Sequence, residues 1–219
     1  DPAWAYQQAY EIDIFDLGYG RDISGLTAAM VSEAFKLEAN PDSIIHLLRK
    51  IDPKGYSESR LVGRTAYKIY QQALRIHKEV DEIDVDNFFK QGIAVKLALP
   101  LATAEDSLKY ARWSTAYQKL DAELMRYPFH PSEIFIVNHV ALLLNGFDFV
   151  ESLAFVINYG RDNDTTAAVT GSILGAYWGA KKLPQELLQT SLKANKELGI
   201  DLEELAQRMT QAILKNRAL

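Results

Sequence analysis

A chain of 219 residues is long enough for one domain that buries roughly 70% of its unfolded surface. Its 29 acidic residues outnumber 24 basic ones, leaving a net charge of −5, which argues against a nucleic-acid-binding surface. Cysteine is absent, so disulfides, thiolate nucleophiles and thiolate metal sites are excluded, and a reducing, cytoplasmic setting is expected. Neither a signal peptide nor an apolar run of about 20 residues is visible, so no membrane span is expected.

In chain order, Ala3, Ala5, Ala9, Ile12 and Phe15 fall near helical spacing over residues 3–15. Asp16-Leu17-Gly18-Tyr19-Gly20-Arg21-Asp22 reads as a loop that feeds a small-residue helix from Ser24 to about Leu37. Asn40-Pro41 signals the next helix start, with Ile44, Ile45, Leu47, Leu48 and Ile51 buried. A further helix is expected over 57–79, with Leu61, Ala66, Ile69, Ala73 and Ile76 inward. Asp81, Asp84 and Asp86 read as a solvated capping loop, and residues 87–99 as a buried stretch closed by Pro100. Thr103 caps a long helix to about Met125, and Pro131 opens another that Asn145-Gly146 ends. Asp148 with Glu151 and Asp201 with Glu204 form capping-box patterns. The three tryptophans sit in helical patterns and are expected in the core. His46, His77, His130 and His139 are dispersed and form no zinc-binding spacing. No alternation of period two persists, so the expected fold class is all-α.

The most chemical stretch is Asn158-Tyr159-Gly160-Arg161-Asp162-Asn163-Asp164-Thr165-Thr166. A helix must stop at Gly160, and another can start at once with Asp162 or Asp164 accepting from its free N–H groups. Two carboxylates and a hydroxyl, from Asp162, Asp164 and Thr165, then gather at one helix end. That is a set of hard oxygen ligands suited to Mg²⁺, Mn²⁺ or Ca²⁺. Plain N-capping explains the same letters. Gly171, Gly175 and Gly179 recur every fourth residue of the following helix. Each interior glycine costs a helix about 1 kcal/mol relative to alanine, so the spacing predicts another backbone close to that face of a buried helix. An EF-hand loop from Asp162 is excluded, because its sixth and twelfth positions hold Ala167 and Ile173.

The stretch resembles the ADP-ribosylglycohydrolase family, whose members carry a Gly-Gly-Asp-Thr-Asp-Thr-x-Ala motif followed by a Gly- and Ala-rich helix. Here it reads Gly160-Arg161-Asp162-Asn163-Asp164-Thr165-Thr166-Ala167, with Asn138, Asn158 and Leu183-Pro184 in matching context. The departures are Arg161 for the second glycine and Asn163 for the first threonine. The resemblance implies an all-α, compact orthogonal multi-helix bundle over residues 1–219. It also implies a two-metal site for Mg²⁺ or Mn²⁺, in which Asp162, Asp164 and Thr165 form one wall. Gly160, Arg161 and Asn163, with the loop residues Asp16, Tyr19 and Asp22, become candidates for contact with substrate.

Family members carry the remaining ligands on a Thr-Asp-Asp-Thr motif, with an acidic residue near the substrate. Neither that motif nor any adjacent Asp-Asp pair occurs here. The expectation is therefore the C-terminal part of a larger protein, whose catalytic residue lies upstream of Asp1. Such a fragment would be inactive alone and inclined to self-associate through its uncovered wall. The implied activity is metal-dependent cleavage of an ADP-ribosyl glycosidic bond in a protein or small molecule. A non-catalytic ADP-ribose-binding or structural module is the alternative.

Overall fold

A computed structural model of the chain describes residues 1–61, 63–92, 97–123 and 130–217. Among these residues there are eleven α-helices, three short 3₁₀ turns and no strand. The chain divides into two compact units, Asp1–Tyr177 and Trp178–Leu219.

The first unit is built around α7, Pro131–Leu144, in which ten of fourteen residues are buried. A helix apolar on all sides can only be satisfied by neighbours on all sides, and the surrounding helices supply them. α4 (Thr65–Asp81) packs along α7 most extensively, using Ala66, Ile69, Ala73, Ile76 and Val80. α6 (Ala104–Ala122) packs against α4 and, less extensively, against α7, and α8 (Phe149–Tyr159) adjoins α7. Trp113 of α6 meets the Phe155 ring of α8 edge-on at 5.3 Å. The Tyr117 hydroxyl donates to the Phe155 carbonyl oxygen at 2.7 Å. α5 (Val85–Gln91) lies against α6.

α1 (Pro2–Ile12) starts on Asp1, whose carboxylate accepts from the Ala3 and Trp4 N–H groups at 3.0 and 3.2 Å. It packs tightly on α2 (Tyr19–Ala34) because Gly25 leaves room for the Tyr6 ring: a Cβ at Gly25 would lie 2.8 Å from Tyr6 Cδ2. α3 (Pro41–Ile45) is a single capped turn, with Asn40 and Ser43 bonding reciprocally. Below it a buried ion pair ties α2 to the start of α4. Arg64 reaches both Asp22 carboxylate oxygens at 2.7 and 2.9 Å and also donates to the Leu48 and Ile51 carbonyls.

Several expectations need correction. Residues 19–22 are the first turn of α2 rather than loop, since Gly18 takes a left-handed φ of 55° and turns the chain into the helix there. The helix expected over 57–79 begins only at Thr65; Gly63 (φ 65°) breaks the chain before it, and Leu61 is 96% exposed. The described residues between 87 and 99 are not buried, because α5 is short and packs chiefly on α6; residues 93–96 lie outside the described set. The expected end of α6 at Met125 also lies outside it. Trp113 is core, but Trp4 is 64% exposed on α1.

The second unit holds a 3₁₀ turn (Ala180–Lys182), α10 (Gln185–Glu197) and α11 (Leu202–Arg217). Gly199, at a φ of 81°, lets the chain reverse between the two helices.

Candidate functional site

α8 ends where Gly160 takes a φ of 80°, and the next residue, Arg161, also has a positive φ of 56°. Two consecutive residues of positive φ let α9 (Asn163–Trp178) start with only three residues between it and the end of α8. The turn is tied down from its own sequence. The Gly160 N–H and the Asn163 side-chain amide both donate to the Ile157 carbonyl, each at 3.2 Å. The Asp162 carbonyl receives the Thr166 N–H at 3.1 Å and the Thr166 hydroxyl at 2.8 Å. Asn163, a departure from the family motif, thus closes the end of α8.

Arg161 is held from outside the turn. Its guanidinium grips both carboxylate oxygens of Glu133, in the first turn of α7, with Nη2 to Oε2 at 3.1 Å. Glu133 is only 7% exposed, and a buried carboxylate needs such a partner. Non-glycine residues in the left-handed region cost about 1–3 kcal/mol, which the bidentate contact offsets. α9 is braced further along by Thr170, whose hydroxyl reaches the Asn138 side chain of α7.

Against this framework the predicted metal ligands stand apart. Thr166 and Thr170 spend their hydroxyls on carbonyls one turn back, at 2.8 and 2.9 Å. Among the described residues the Thr165 hydroxyl makes no such bond. The Asp162 and Asp164 carboxylates meet no donor and no ion-pair partner there either. Asp162 is half-buried, while Asp164 and Thr165 are exposed. Neither carboxylate caps α9, so the capping expectation does not describe what their oxygens do. Three side chains with uncommitted hard oxygens at one helix start suit a divalent cation. Among the described residues no three His, Asp or Glu side chains gather into a metal-binding group, so this turn offers two carboxylates and a hydroxyl.

Beside the turn lies a cavity of about 290 Å³ lined by Tyr19, Lys68, Gln72, Glu133 and Tyr159, among others. Tyr159, the last residue of α8, donates to Asp121 at 3.0 Å. Burial, reinforced by Asp121, drives its phenol pKa well above the ordinary value, so it stays protonated and remains a donor. Tyr19, which lines the same cavity, is bonded to the His130 imidazole, and burial raises the Tyr19 pKa too. A second cleft, of about 450 Å³, runs between Asp16, Ile23 and Ser24 on one side and Ile134 and Val169 on the other. Burial first, then the neighbouring Asp13, raises the Asp16 pKa.

The candidate residues therefore divide. Gly160, Arg161, Asp162, Asn163, Asp164 and Thr165 form one turn. Tyr19 lines the cavity next to it, and Asp16 lines the second cleft beside α9. Asp22 is fully buried and taken up by Arg64 and by the Tyr6 hydroxyl at 2.6 Å, so it has no access to either space. Glu133 and Tyr159 were missed as site residues. Glu133 had a signal, since an acid inside an apolar helix needs a cationic partner and Arg161 stands where glycine is expected.

The glycine spacing on α9 has a different outcome from the expected one. A Cβ at Gly171 would meet only Leu153 Cδ2, at 3.9 Å, and one at Gly175 would meet nothing within 4 Å. Gly179 lies beyond the helix, at a φ of 69°. Burial in α9 is confined to Thr166, Thr170, Ile173 and Leu174, so one side of the helix packs and the glycine face stays open.

Among the described residues the chain is all-helical, with an acidic turn feeding an Ala- and Gly-rich helix. The sequence matches the family model for ADP-ribosylglycohydrolase over residues 1–218, and the chain belongs to that family. Neither the curated proteins nor the solved structures gave a match. Membership points to a hydrolase acting on ADP-ribosylated substrates, in a family that typically depends on metal.

Proposed function

We propose that this chain contributes one wall of a two-metal centre that hydrolyses an ADP-ribosyl glycosidic bond. The observation that carries the reading is the uncommitted oxygen set of Asp162, Asp164 and Thr165 on a turn whose Gly160, Asn163 and Thr166 groups are tied down by hydrogen bonds. Those three side chains would hold Mg²⁺ or Mn²⁺. When bound, such ions hold sugar hydroxyls and polarise an attacking water.

The chain's own residues do the rest of the positioning. Cleavage passes through an oxocarbenium-like transition state, so the ribose must be held while water approaches its anomeric carbon. The free N–H groups at the start of α9 can take ligand oxygens. Tyr159, its hydroxyl hydrogen donated to Asp121, and Tyr19, bonded to His130, stay protonated and present neutral hydroxyl groups to the adjoining cavity, Tyr159 as an acceptor. The Arg161–Glu133 pair stands where the family has glycine, and so narrows the approach to the turn with a rigid, charged side chain.

The test is metal binding followed by turnover. Manganese titration monitored by electron paramagnetic resonance should show binding that Asp162→Ala and Asp164→Ala each weaken at least tenfold. In a form of the protein that turns over ADP-ribosylated substrate, Asp164→Ala should abolish Mg²⁺-dependent release of ADP-ribose with circular dichroism unchanged. Full activity in that variant would overturn the reading.

A further inference from the structure

The second unit ends in α11, where no residue from 202 to 215 is buried. Its apolar residues are nevertheless ordered. At about 100° per residue, Leu202, Leu205, Ala206, Met209, Ala212 and Ile213 fall within one third of the circumference. Leu205, Met209 and Ile213 are 46%, 58% and 53% exposed. The remaining circumference carries Glu203, Glu204, Gln207, Arg208, Thr210, Gln211 and Lys215, with Leu214 the helix's one large apolar side chain outside the stripe among the described residues. α10 meets α11 at its first turn, where Lys196 pairs with Asp201 at 3.1 Å, and leaves the stripe beyond it uncovered. A stripe of this width on a helix about 24 Å long is the pattern of a face made for another helix.

We propose that a second copy of this chain covers the stripe, with the two α11 helices antiparallel about a two-fold axis at Met209. The sequence is self-complementary in that direction. With Met209 against its counterpart, Leu205 falls opposite the second copy's Ile213, and Ala206 opposite its Ala212. The alanines allow close approach on both sides of the axis. Charge selects the same direction. The first turn is acidic at Glu203 and Glu204, and the last described side chain, Lys215, is basic. Antiparallel helices lay acidic turn along basic end and oppose their macrodipoles, whereas parallel ones would stack like charges. The contact is isologous and closes at two copies. One helix pair is at the small end of stable interfaces, so the dimer is expected in the micromolar range (about 1–100 μM). This inference does not depend on the metal turn.

Because the chain lacks cysteine, engineered thiols test the geometry directly. Met209→Cys sits on the axis and should cross-link into a disulfide dimer on mild oxidation. Leu205→Cys alone should not, since its counterpart lies about 12 Å along the axis, beyond disulfide reach; Leu205→Cys combined with Ile213→Cys should. Sedimentation of the 219-residue chain should show a concentration-dependent dimer that Met209→Glu returns to monomer with helicity intact. Three results would overturn the proposal. One is a chain monomeric throughout that range, including the case where Met209→Glu lowers the melting temperature because another surface of the same chain covers the stripe. The second is equal cross-linking at positions 205 and 209, and the third is a dimer indifferent to Met209→Glu.

Discussion

The oxygen set at the acidic turn is defined by what its neighbours do with their side chains. Thr166 and Thr170 back-bond to carbonyls four residues earlier, a local habit of threonine in helices, while Thr165, Asp162 and Asp164 keep their oxygens unpaired. Other polar residues are committed to structure, and two of them make firm predictions. Asp22 is fully buried against Arg64; Asp22→Asn leaves a buried guanidinium without its counter-charge and should destabilise the chain by about 3–5 kcal/mol. Urea unfolding measures this directly, and a loss below about 1 kcal/mol would contradict it. His139 is buried on α7, with Nδ1 2.8 Å from the Phe135 carbonyl oxygen. Burial lowers its pKa from 6.5 to about 4. The unfolded chain binds this proton more readily, so the stability is complete above about pH 6.5 and is lost as pH falls toward 4. The lowering corresponds to about 3 kcal/mol between those limits. His139→Gln should flatten the dependence of the urea midpoint on pH between 7 and about 4.5; an unchanged slope would count against it.

At the scale of elements, glycines with similar letters around them play opposite parts. Gly25 is where α1 crosses α2, and its missing Cβ is filled by the Tyr6 ring. Gly171 and Gly175 face open space on α9. Gly25→Ala should therefore cost about 1–3 kcal/mol through overpacking. Gly171→Ala and Gly175→Ala should each stabilise the helix by about 0.5–1 kcal/mol. Thermal melts of the three single variants decide it, and the sign is the readout. A drop in melting temperature at Gly171 or Gly175 would mean that another chain segment occupies that face. The α9 case also explains a misreading of the sequence. Glycine at every fourth position is compatible with close packing but does not require it, and the tertiary neighbours decide.

For the whole molecule, the acidic balance and the ligand count set the expectations. Three candidate ligands fall short of the roughly six oxygens that Mg²⁺ prefers, so water must complete the shell of any ion held by these residues alone. A second ion would have no carboxylate from the described residues. The 219-residue chain assayed alone with Mg²⁺ should release no ADP-ribose from ADP-ribosylated protein or small molecules. Adding the family's Thr-Asp-Asp-Thr region, on the same chain or in trans, should restore release. Turnover by the chain alone at a rate comparable to the complemented protein would refute the one-wall reading. Among the described residues no helix is long and apolar enough to cross a membrane.

Much of this was legible in the letters. The all-α class followed from 3.6-residue periodicity, and most helix starts followed from local chemistry: Asn40-Pro41, Thr103, Pro131 and Asp148 cap or open helices as their side chains dictate, within one turn of chain. The acidic turn could be picked out in the sequence because its candidate ligands are contiguous. What was not legible depends on distant partners. Tyr-Gly-Arg-Asp occurs twice, at 19–22 and at 159–162. In the first copy the tetrapeptide opens α2, Arg21 donates to the Tyr10 carbonyl, and Asp22 is buried against Arg64. In the second it closes α8, Arg161 pairs with Glu133, and Asp162 keeps its carboxylate unpaired. The backbone choice at Gly20 against Gly160, and the fate of each aspartate, were made by helices far away in sequence. Local hydrogen bonds are short-ranged and can be read from neighbours; burial and charge pairing are settled only when the chain has folded back on itself.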